Sequence, residues 1–466
     1  MIGLEIHCQL TNLESKLFCS CKANYRSFEP NTNICPVCIG LPGSLPRLNK
    51  KAVEKATMIA MAFNCKTPQK LGFFRKNYFY PDLPKNFQIT QLNLYGPTST
   101  GEQGRISIEG KDIRIRRIQL EEDPGRLIYE GASERTQITL VDYNRAGTPL
   151  VEIVTEPDFE DARQVRIFLN ILSDLLENLG VSDPTLEGAM RADANVSIEG
   201  GAKVEVKNIG SFYDLEKAID FELIRQKSLK ERGIQIVQET RHWDDRRKIT
   251  ISARTKEADE DYRYILEGDI PWVIMDSQSL EKWKTTMPES ISSKKDRYSG
   301  YGIPAQVADI LSSDKYYSDL FEKAHNESNA KEIANMITTD LMGLVDTRER
   351  REKSKLDPKH LSDLVELIQS GKVTRSSAKN ALQEIVKTGK PVSEIVSQIG
   401  LGKISDQSEI TKIIDEIITA EPAAAKQAKE NPQTINYLVG KVMQKTKGRA
   451  DPTMTLKLLK EKIASL

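Results

Sequence analysis

An α+β fold is predicted: a cradle-like mixed-sheet domain over 1–288, then an all-α domain over 289–400 and a small helical tail over 401–466. Three observations predict it. Short runs of alternating polar and apolar residues recur as far as Arg254. All three tryptophans and 18 of the 27 glycines precede Pro288. Beyond Pro288 the apolar residues fall at helical spacing. A length of 466 residues and 39% hydrophobic content provide for several packed cores.

In order, Ile2–Leu10, Arg105–Leu120, Gln137–Tyr143, Arg191–Ile198, Lys203–Lys207 and Lys248–Arg254 read as strands between Gly, Pro and Asn turns. Ala162–Leu179 reads as a helix, with Val165, Phe168, Leu169, Leu172, Leu176 and Leu179 on one face and Gly180 as its stop. Leu215–Arg232 ends in the same way at Gly233. After Pro288, breaks at Gly371, Lys390-Pro391, Gly400–Gly402 and Asn431-Pro432 separate small helices, with a seam near Gly400–Ser405. Ile410, Ile413, Ile414, Ile417 and Ile418 form an apolar stripe, preceded by Asp406 and Glu409 at capping-box spacing and followed by Pro422.

Charge excludes one class of function. With 67 basic and 67 acidic residues, the chain is no polycation, so a nucleic-acid partner needs a local patch. The stretch from Lys426 onward supplies one, with nine basic side chains against three acidic ones. Lys441, Lys445, Lys447 and Arg449 are its candidates for phosphate contact, and a solvated helix face is the equal alternative. No apolar run approaches the roughly 20 residues that cross a bilayer, and the N-terminus lacks a signal-peptide pattern. A soluble cytoplasmic protein is expected.

All six cysteines lie at or before Cys65. Cys19-Ser-Cys21 and Cys35-Pro-Val-Cys38 can close a tetrahedral Zn²⁺ site with no position open for catalysis, so the expected role is to staple a loop.

A second signal needs the strand period of two. It sets Glu5 and His7 opposite Leu4 and Ile6, and Gln119 and Glu121 opposite Ile118 and Leu120, with Glu122 and Asp123 following. Glu152 stands among core residues, Asp193, Asn195 and Ser197 share a face, and so do Lys203, Glu205 and Lys207. If these five strands are neighbours, such acids repel one another unless a cation sits among them. Oxygen ligands with an occasional His suit Mg²⁺ or Mn²⁺. A solvated sheet face is the alternative. A third cluster, Phe73–Lys85, mixes aromatics with Arg75, Lys76, Asp82 and Lys85. It is a candidate substrate-pocket wall, or else an aromatic-anchored loop. No GxxxxGK[ST], GxGxxG after a strand or GxSxG motif occurs, so P-loop, Rossmann and α/β-hydrolase chemistry are disfavoured.

Several longer stretches carry a resemblance. They are Gly3-Leu-Glu-Ile-His-Cys-Gln-Leu, Asn31-Thr-Asn-Ile-Cys-Pro-Val-Cys-Ile-Gly-Leu-Pro-Gly, Arg75-Lys-Asn-Tyr-Phe-Tyr-Pro-Asp-Leu-Pro-Lys, Leu120-Glu-Glu-Asp-Pro-Gly, Gln238-Glu-Thr-Arg and the run from Asp142 to Pro157. With Tyr437–Pro452 near the end, they resemble the B-subunit family of the tRNA-dependent amidotransferases over essentially the whole chain.

The resemblance implies a catalytic cradle of glutamine-synthetase-like character and a tail that touches tRNA. It implies an ATP-hydrolysing ligase that phosphorylates the side-chain carboxylate of Glu or Asp mischarged on tRNA(Gln) or tRNA(Asn). Ammonia conducted from a partner amidase subunit then displaces phosphate, and a small third subunit clasps the other two. It maps Mg²⁺ ligands onto Glu5 and His7, with Glu121, Glu122 and Glu152 as companions, and Zn²⁺ onto Cys19, Cys21, Cys35 and Cys38.

Joining two anions requires a bridging cation and offsetting lysines, for which Lys76, Lys85 and Lys207 are candidates. Asp193, Asn195 and Glu205, with Lys85, are the candidates for contact with ATP.

Two departures stand out. Relatives usually carry residues ahead of the first strand, where this chain starts at Met1, so a start further upstream is an expectation. The family's Tyr-Phe-Pro-Glu-Pro-Asp-Leu-Pro is Tyr264-Ile-Leu-Glu-Gly-Asp-Ile-Pro here, and no catalytic role is assigned to it. An archaeal paralogue carries a large synthetase-like insertion, for which 466 residues leave little room. The rival class is a non-enzymatic RNA-binding scaffold with a zinc staple, which leaves the carboxylate-bearing strand faces without a role.

Overall fold

The computed structural model describes all residues except 130–137, 255–261, 399–406, 431, 447–448 and 466. The expected seam at Gly400–Ser405, the capping residue Asp406 and the candidate Lys447 therefore lie outside the described residues. Two compact units divide the chain, Met1–Pro288 and Glu289–Leu466.

In the first unit the strands are β1 (Ile2–Gln9), β2 (Lys70–Leu71), β3 (Phe74–Asn77), β4 (Phe87–Thr90), β5 (Gly101–Ile108), β6 (Lys111–Glu122), β7 (Arg126–Tyr129), β8 (Thr139–Asp142) and β9 (Pro149–Thr155). They continue as β10 (Met190–Val196), β11 (Val204–Lys207), β12 (Glu239–Asp244), β13 (Ile249–Arg254), β14 (Ile265–Leu266) and β15 (Val273–Ile274). Among the helices of this unit are α1 (Lys50–Ala62), α2 (Ala162–Asn178) and α3 (Phe212–Glu231).

Eight strands form one sheet in the order β13-β12-β11-β10-β1-β9-β6-β5. Every pairing in it is antiparallel except β11 with β12. That parallel pair needs a crossover, and α3 supplies it. Alternation then sorts the side chains. Ile2, Leu4, Ile6 and Cys8 of β1 join Ile118, Leu120, Val151, Ile153, Ala192 and Ala194 in one core. Val165, Phe168, Leu169, Leu172 and Leu176 of α2 close over it. Because helices occupy the apolar face, the polar residues of the same strands collect on the other.

The expected single strand Arg105–Leu120 is instead a hairpin, β5 with β6. Its two connecting residues, Glu109 and Gly110, have φ of 49° and 84°, the doubly left-handed turn that suits the twist of a two-residue hairpin loop. Glutamate disguises that turn, because Asn or Asp is the usual signal in its place. Helix α1 was absent from the predicted elements. Asn49 caps it by accepting from the Lys51 and Ala52 amides.

The second unit is helical. Helices between Ile291 and Gln398 share one core, which includes Tyr298, Phe321, Leu361 and Leu382. The helices Gln407–Ala420, Pro422–Glu430, Pro432–Lys445 and Pro452–Ser465 share a second core, where Ile410, Ile414 and Ile417 pack with Leu438, Val442 and Leu459.

Candidate active site

The site is built by register. Strand β1 lies between β10 and β9, which sets Glu5 opposite Asp193 and His7 opposite Glu152. Glu152 in turn faces Gln119 of β6, and Asn195 of β10 faces Glu205 of β11. The five acid-bearing strands are thus contiguous. His7 Nε2 lies 3.7 Å from a Glu121 oxygen and 4.0 Å from oxygens of both Glu5 and Glu152. Glu5, His7 and Glu152 each offer a ligand atom, all within 4.8 Å of one another.

Protons show what this crowding does. Burial pushes the Glu152 carboxyl up to about 8 and Glu121 up to about 7, and the charge of Glu5 adds to both. Burial would also raise Glu5, but His7, Lys207 and Lys76, with a hydrogen bond from Glu152, hold it at about 2. Burial pushes His7 down to about 4, so its imidazole is neutral with a lone pair available. Two buried carboxyls, the ionised Glu5 and a neutral imidazole are a donor set that fits a hard divalent ion.

Cations ring this cluster. Lys207 Nζ lies 3.2 Å from Asp193 and 3.6 Å from Glu205, and Glu205 also accepts from Thr240 Oγ1 at 3.0 Å. Asn195 Oδ1 is buried with no hydrogen-bond partner among the described residues, an acceptor aimed at nothing the chain supplies. Lys76 sits 4.4 Å from the Tyr262 ring, and its charge opposes the upward shifts of Glu121 and Glu152.

The adjacent acids of β6 divide. Glu121 accepts from Thr90 Oγ1 at 2.9 Å and faces His7, whereas Glu122 pairs with Lys85 and accepts from the Ile89 amide at 2.9 Å. The structure therefore brings Glu5, His7, Glu121 and Glu152 together, and it takes Glu122 and Lys85 to each other.

Two arginines escaped the sequence reading. Arg117 lies 4.0 Å from Glu152 and donates to Gln119 at 2.8 Å. Period two already places it with Gln119 and Glu121, so that signal was available. Arg191 stands opposite His7 and donates to the fully buried Asp123 at 2.9 Å, while Gln9 donates to the same carboxylate at 2.6 Å. This trio joins three distant segments, and no local pattern announces it.

The four Sγ atoms of Cys19, Cys21, Cys35 and Cys38 also lie within 4.8 Å of one another, close to the roughly 3.8 Å separation in a tetrahedral zinc thiolate. A hydrogen bond from Cys19, with Lys16 nearby, draws the Cys38 thiol down to about 5. In the tail, Lys441 pairs with Glu421 at 3.1 Å, Lys445 pairs with Glu416, and Arg449 donates to the Thr446 carbonyl at 3.1 Å. Two of the basic candidates for tRNA contact thus already hold carboxylates, which halves the charge they present.

Comparison with known proteins adds the lineage. Residues 1–281 match the family model described as the GatB/GatE catalytic domain, and 319–463 match the one described as the GatB domain. The chain is 46% identical to the B subunit of the aspartyl/glutamyl-tRNA(Asn/Gln) amidotransferase of Sulfurisphaera tokodaii, over 99% of this chain and 98% of that protein. It is 44% identical to the corresponding B subunit from Saccharolobus solfataricus, over 99% of each chain. Identity to the B subunit from Thermotoga maritima is 41%, over 99% of this chain and 98% of that protein. With its two units matched and its length covered, this chain belongs to the family of aspartyl/glutamyl-tRNA(Asn/Gln) amidotransferase B subunits.

Proposed function

We propose that the carboxylate-lined sheet face activates the side-chain carboxylate of Glu-tRNA(Gln), Asp-tRNA(Asn) or both by ATP-dependent phosphorylation, and then serves its amidation. Membership of the family makes the chain the B subunit of an amidotransferase, a ligase with glutamine as amide donor. The finer reading rests on one observation: the half-buried Glu5, the buried Glu152 and a neutral imidazole offer ligand atoms within 4.8 Å of one another, the buried Glu121 lies 3.7 Å from that imidazole, and Lys207, Lys76 and Arg117 stand around them.

A carboxylate is a poor electrophile with a poor leaving group. Attack of its oxygen on the γ-phosphorus, with release of ADP, makes an acyl phosphate. Ammonia then adds at the acyl carbon, and phosphate departs with the electrons of the C–O bond. A magnesium ion held by Glu5, His7, Glu152 and Glu121 would polarise phosphate oxygens and gather the reactants. Lys207 and Lys76 offset the charge of two approaching anions. Asp193, Asn195 and Glu205 line the neighbouring polar ledge for the nucleotide, and Asn195 Oδ1 is free to accept a hydrogen bond there. Zinc on the four cysteines would hold their loop. The expected partners are an amidase subunit that releases ammonia, a small clasp subunit and misacylated tRNA, all in the cytoplasm. Among the described residues no helix is long and apolar enough to cross a membrane.

The test is phosphate transfer from labelled ATP in the reconstituted complex with misacylated tRNA. Glu5→Ala and His7→Ala should abolish acyl-phosphate formation and leave tRNA binding unchanged. Retained turnover in either variant removes that residue from the site, and no Mg²⁺-dependent ATP turnover in the wild type favours a scaffold instead.

A further inference from the structure

Two glycines bring the cysteine loop onto the Lys85–Glu122 ion pair. Gly40, two residues past Cys38, lies so close to Lys85 that a Cβ added to it would stand 2.5 Å from Lys85 Cγ and 3.2 Å from Lys85 Cα. Its φ of +71° closes the knuckle turn, in which the Ile39 and Gly40 amides donate to the Cys35 and Val37 carbonyls at 3.2 and 3.1 Å. From the other side, a Cβ on Gly147 would lie 3.5 Å from Cys38 Cβ, 3.5 Å from Lys16 Cδ and 3.9 Å from Glu122 Oε2. The Gly147 carbonyl accepts from the Leu17 amide at 2.9 Å, which joins the loop's base to the segment beside Glu122. The pair is well enclosed, with the Lys85 side chain 10% exposed and that of Glu122 5% exposed.

Lys16 is the group that the staple alone does not explain. It is fully buried, and its ammonium donates to the Asn33 carbonyl at 2.9 Å and reaches Cys38 Sγ at 3.8 Å. Among the described residues it has no carboxylate partner. A buried ammonium is costly unless an anion accompanies it. Four thiolates around one divalent cation carry a net charge of −2, and a buried lysine against one sulfur removes half of it.

We propose that the cysteine loop, closed by its metal and charge-compensated by Lys16, is the positioning element that seats Lys85 against Glu122. This deepens the proposed function, because its consequence for catalysis rests on that reading of the sheet face, where Glu122 adjoins Glu121 at the end of β6. The packing itself can be tested without turnover.

The test measures acylation of the native full chain by an amine-reactive acetyl ester, with Lys85 and Lys207 quantified by peptide mass spectrometry. Removing the metal with a chelator should raise Lys85 acylation several-fold while Lys207, paired with Asp193, changes less than twofold. Metal-loaded Gly40→Ala should show the same selective rise at Lys85, because its methyl displaces the lysine stem. Gly43→Ala is the control, since Gly43 has a φ of +83° but nothing within 4 Å of an added Cβ. It carries similar backbone strain and should leave Lys85 protected. Lys16→Met should weaken zinc affinity roughly tenfold or more, as loss of an outer partner of a metal ligand does.

Unchanged Lys85 protection in metal-loaded Gly40→Ala would overturn the proposal. So would an equal rise in Gly43→Ala, or an equal rise at Lys207 in metal-loaded Gly40→Ala. A complex that fails to phosphorylate tRNA but shows the selective labelling would refute the kinase reading and leave this one standing.

Discussion

At the scale of single residues, the acid cluster ties stability to pH, and with it the affinity of the proposed metal site. Glu152, at about 8 in the fold against an ordinary 4.5, keeps a proton that the unfolded chain loses. The native state therefore binds more protons than the unfolded state between those values, and stability falls as pH rises through that window. A divalent cation at the proposed site would take the place of those protons. Its affinity should rise with pH up to about 8, by as much as tenfold per pH unit for each proton displaced, and calorimetry in buffers of different ionisation heat should detect the released protons. Glu152→Gln should stabilise the metal-free chain at pH 8 by about 1 kcal/mol and flatten its pH dependence, because a neutral amide replaces a carboxylate that ionises at a loss. A denaturation midpoint at pH 8 that falls in the variant would contradict the crowding argument. Glu5 and His7 were legible in the sequence because period two put them on one face. The division of Glu121 from Glu122 was not, since adjacent acids look alike until their partners Thr90 and Lys85 are placed.

At the scale of elements, the hairpin and α2 hold the site's scaffold. Glu109 in its left-handed conformation is an uncommon choice, and its pairing with Arg163 at 2.7 Å is exposed and so contributes little. Glu109→Asn should raise stability by about 0.5 kcal/mol, read as a higher denaturation midpoint, because asparagine tolerates that conformation better. Phe168, fully buried on α2, packs its ring 5.3 Å from that of Phe159 and 6.4 Å from that of Phe63. Phe168→Ala should lower stability by about 3–5 kcal/mol through transfer and cavity terms together. It should also loosen the sheet from behind, visible as faster amide exchange in β1. Helix α2 was readable from its apolar stripe, whereas α1, with lysines at Lys50, Lys51 and Lys55 and small alanines inside, left a weaker trace.

At the scale of the whole molecule, zero net charge means that the proposed tRNA partner would have to be drawn by local patches. Because Lys441 and Lys445 already face Glu421 and Glu416 at the surface, phosphate has to exchange for carboxylate partners. Exposed pairs of this kind are weak enough for that exchange. The double variant Lys441→Ala/Lys445→Ala should reduce the slope of log affinity for tRNA against log salt by about one per lysine. An unchanged slope would place the tRNA contacts elsewhere.

By itself, the amino-acid order determined the α+β class, the turn from strands to helices near Pro288, the side of each strand that faces inward, and the kinship carried by the long motifs. Those properties follow from near neighbours in the chain, through side-chain periodicity and backbone preference. Which strands lie beside which was left to the tertiary structure, and with it the meeting of His7 with Glu121 and Glu152, the Arg191–Asp123–Gln9 trio and the seat of Lys85 beneath Gly40. The reason is physical: hydrogen-bond register and close packing join residues that are tens to more than a hundred positions apart, and the strength of a buried charge depends on everything around it.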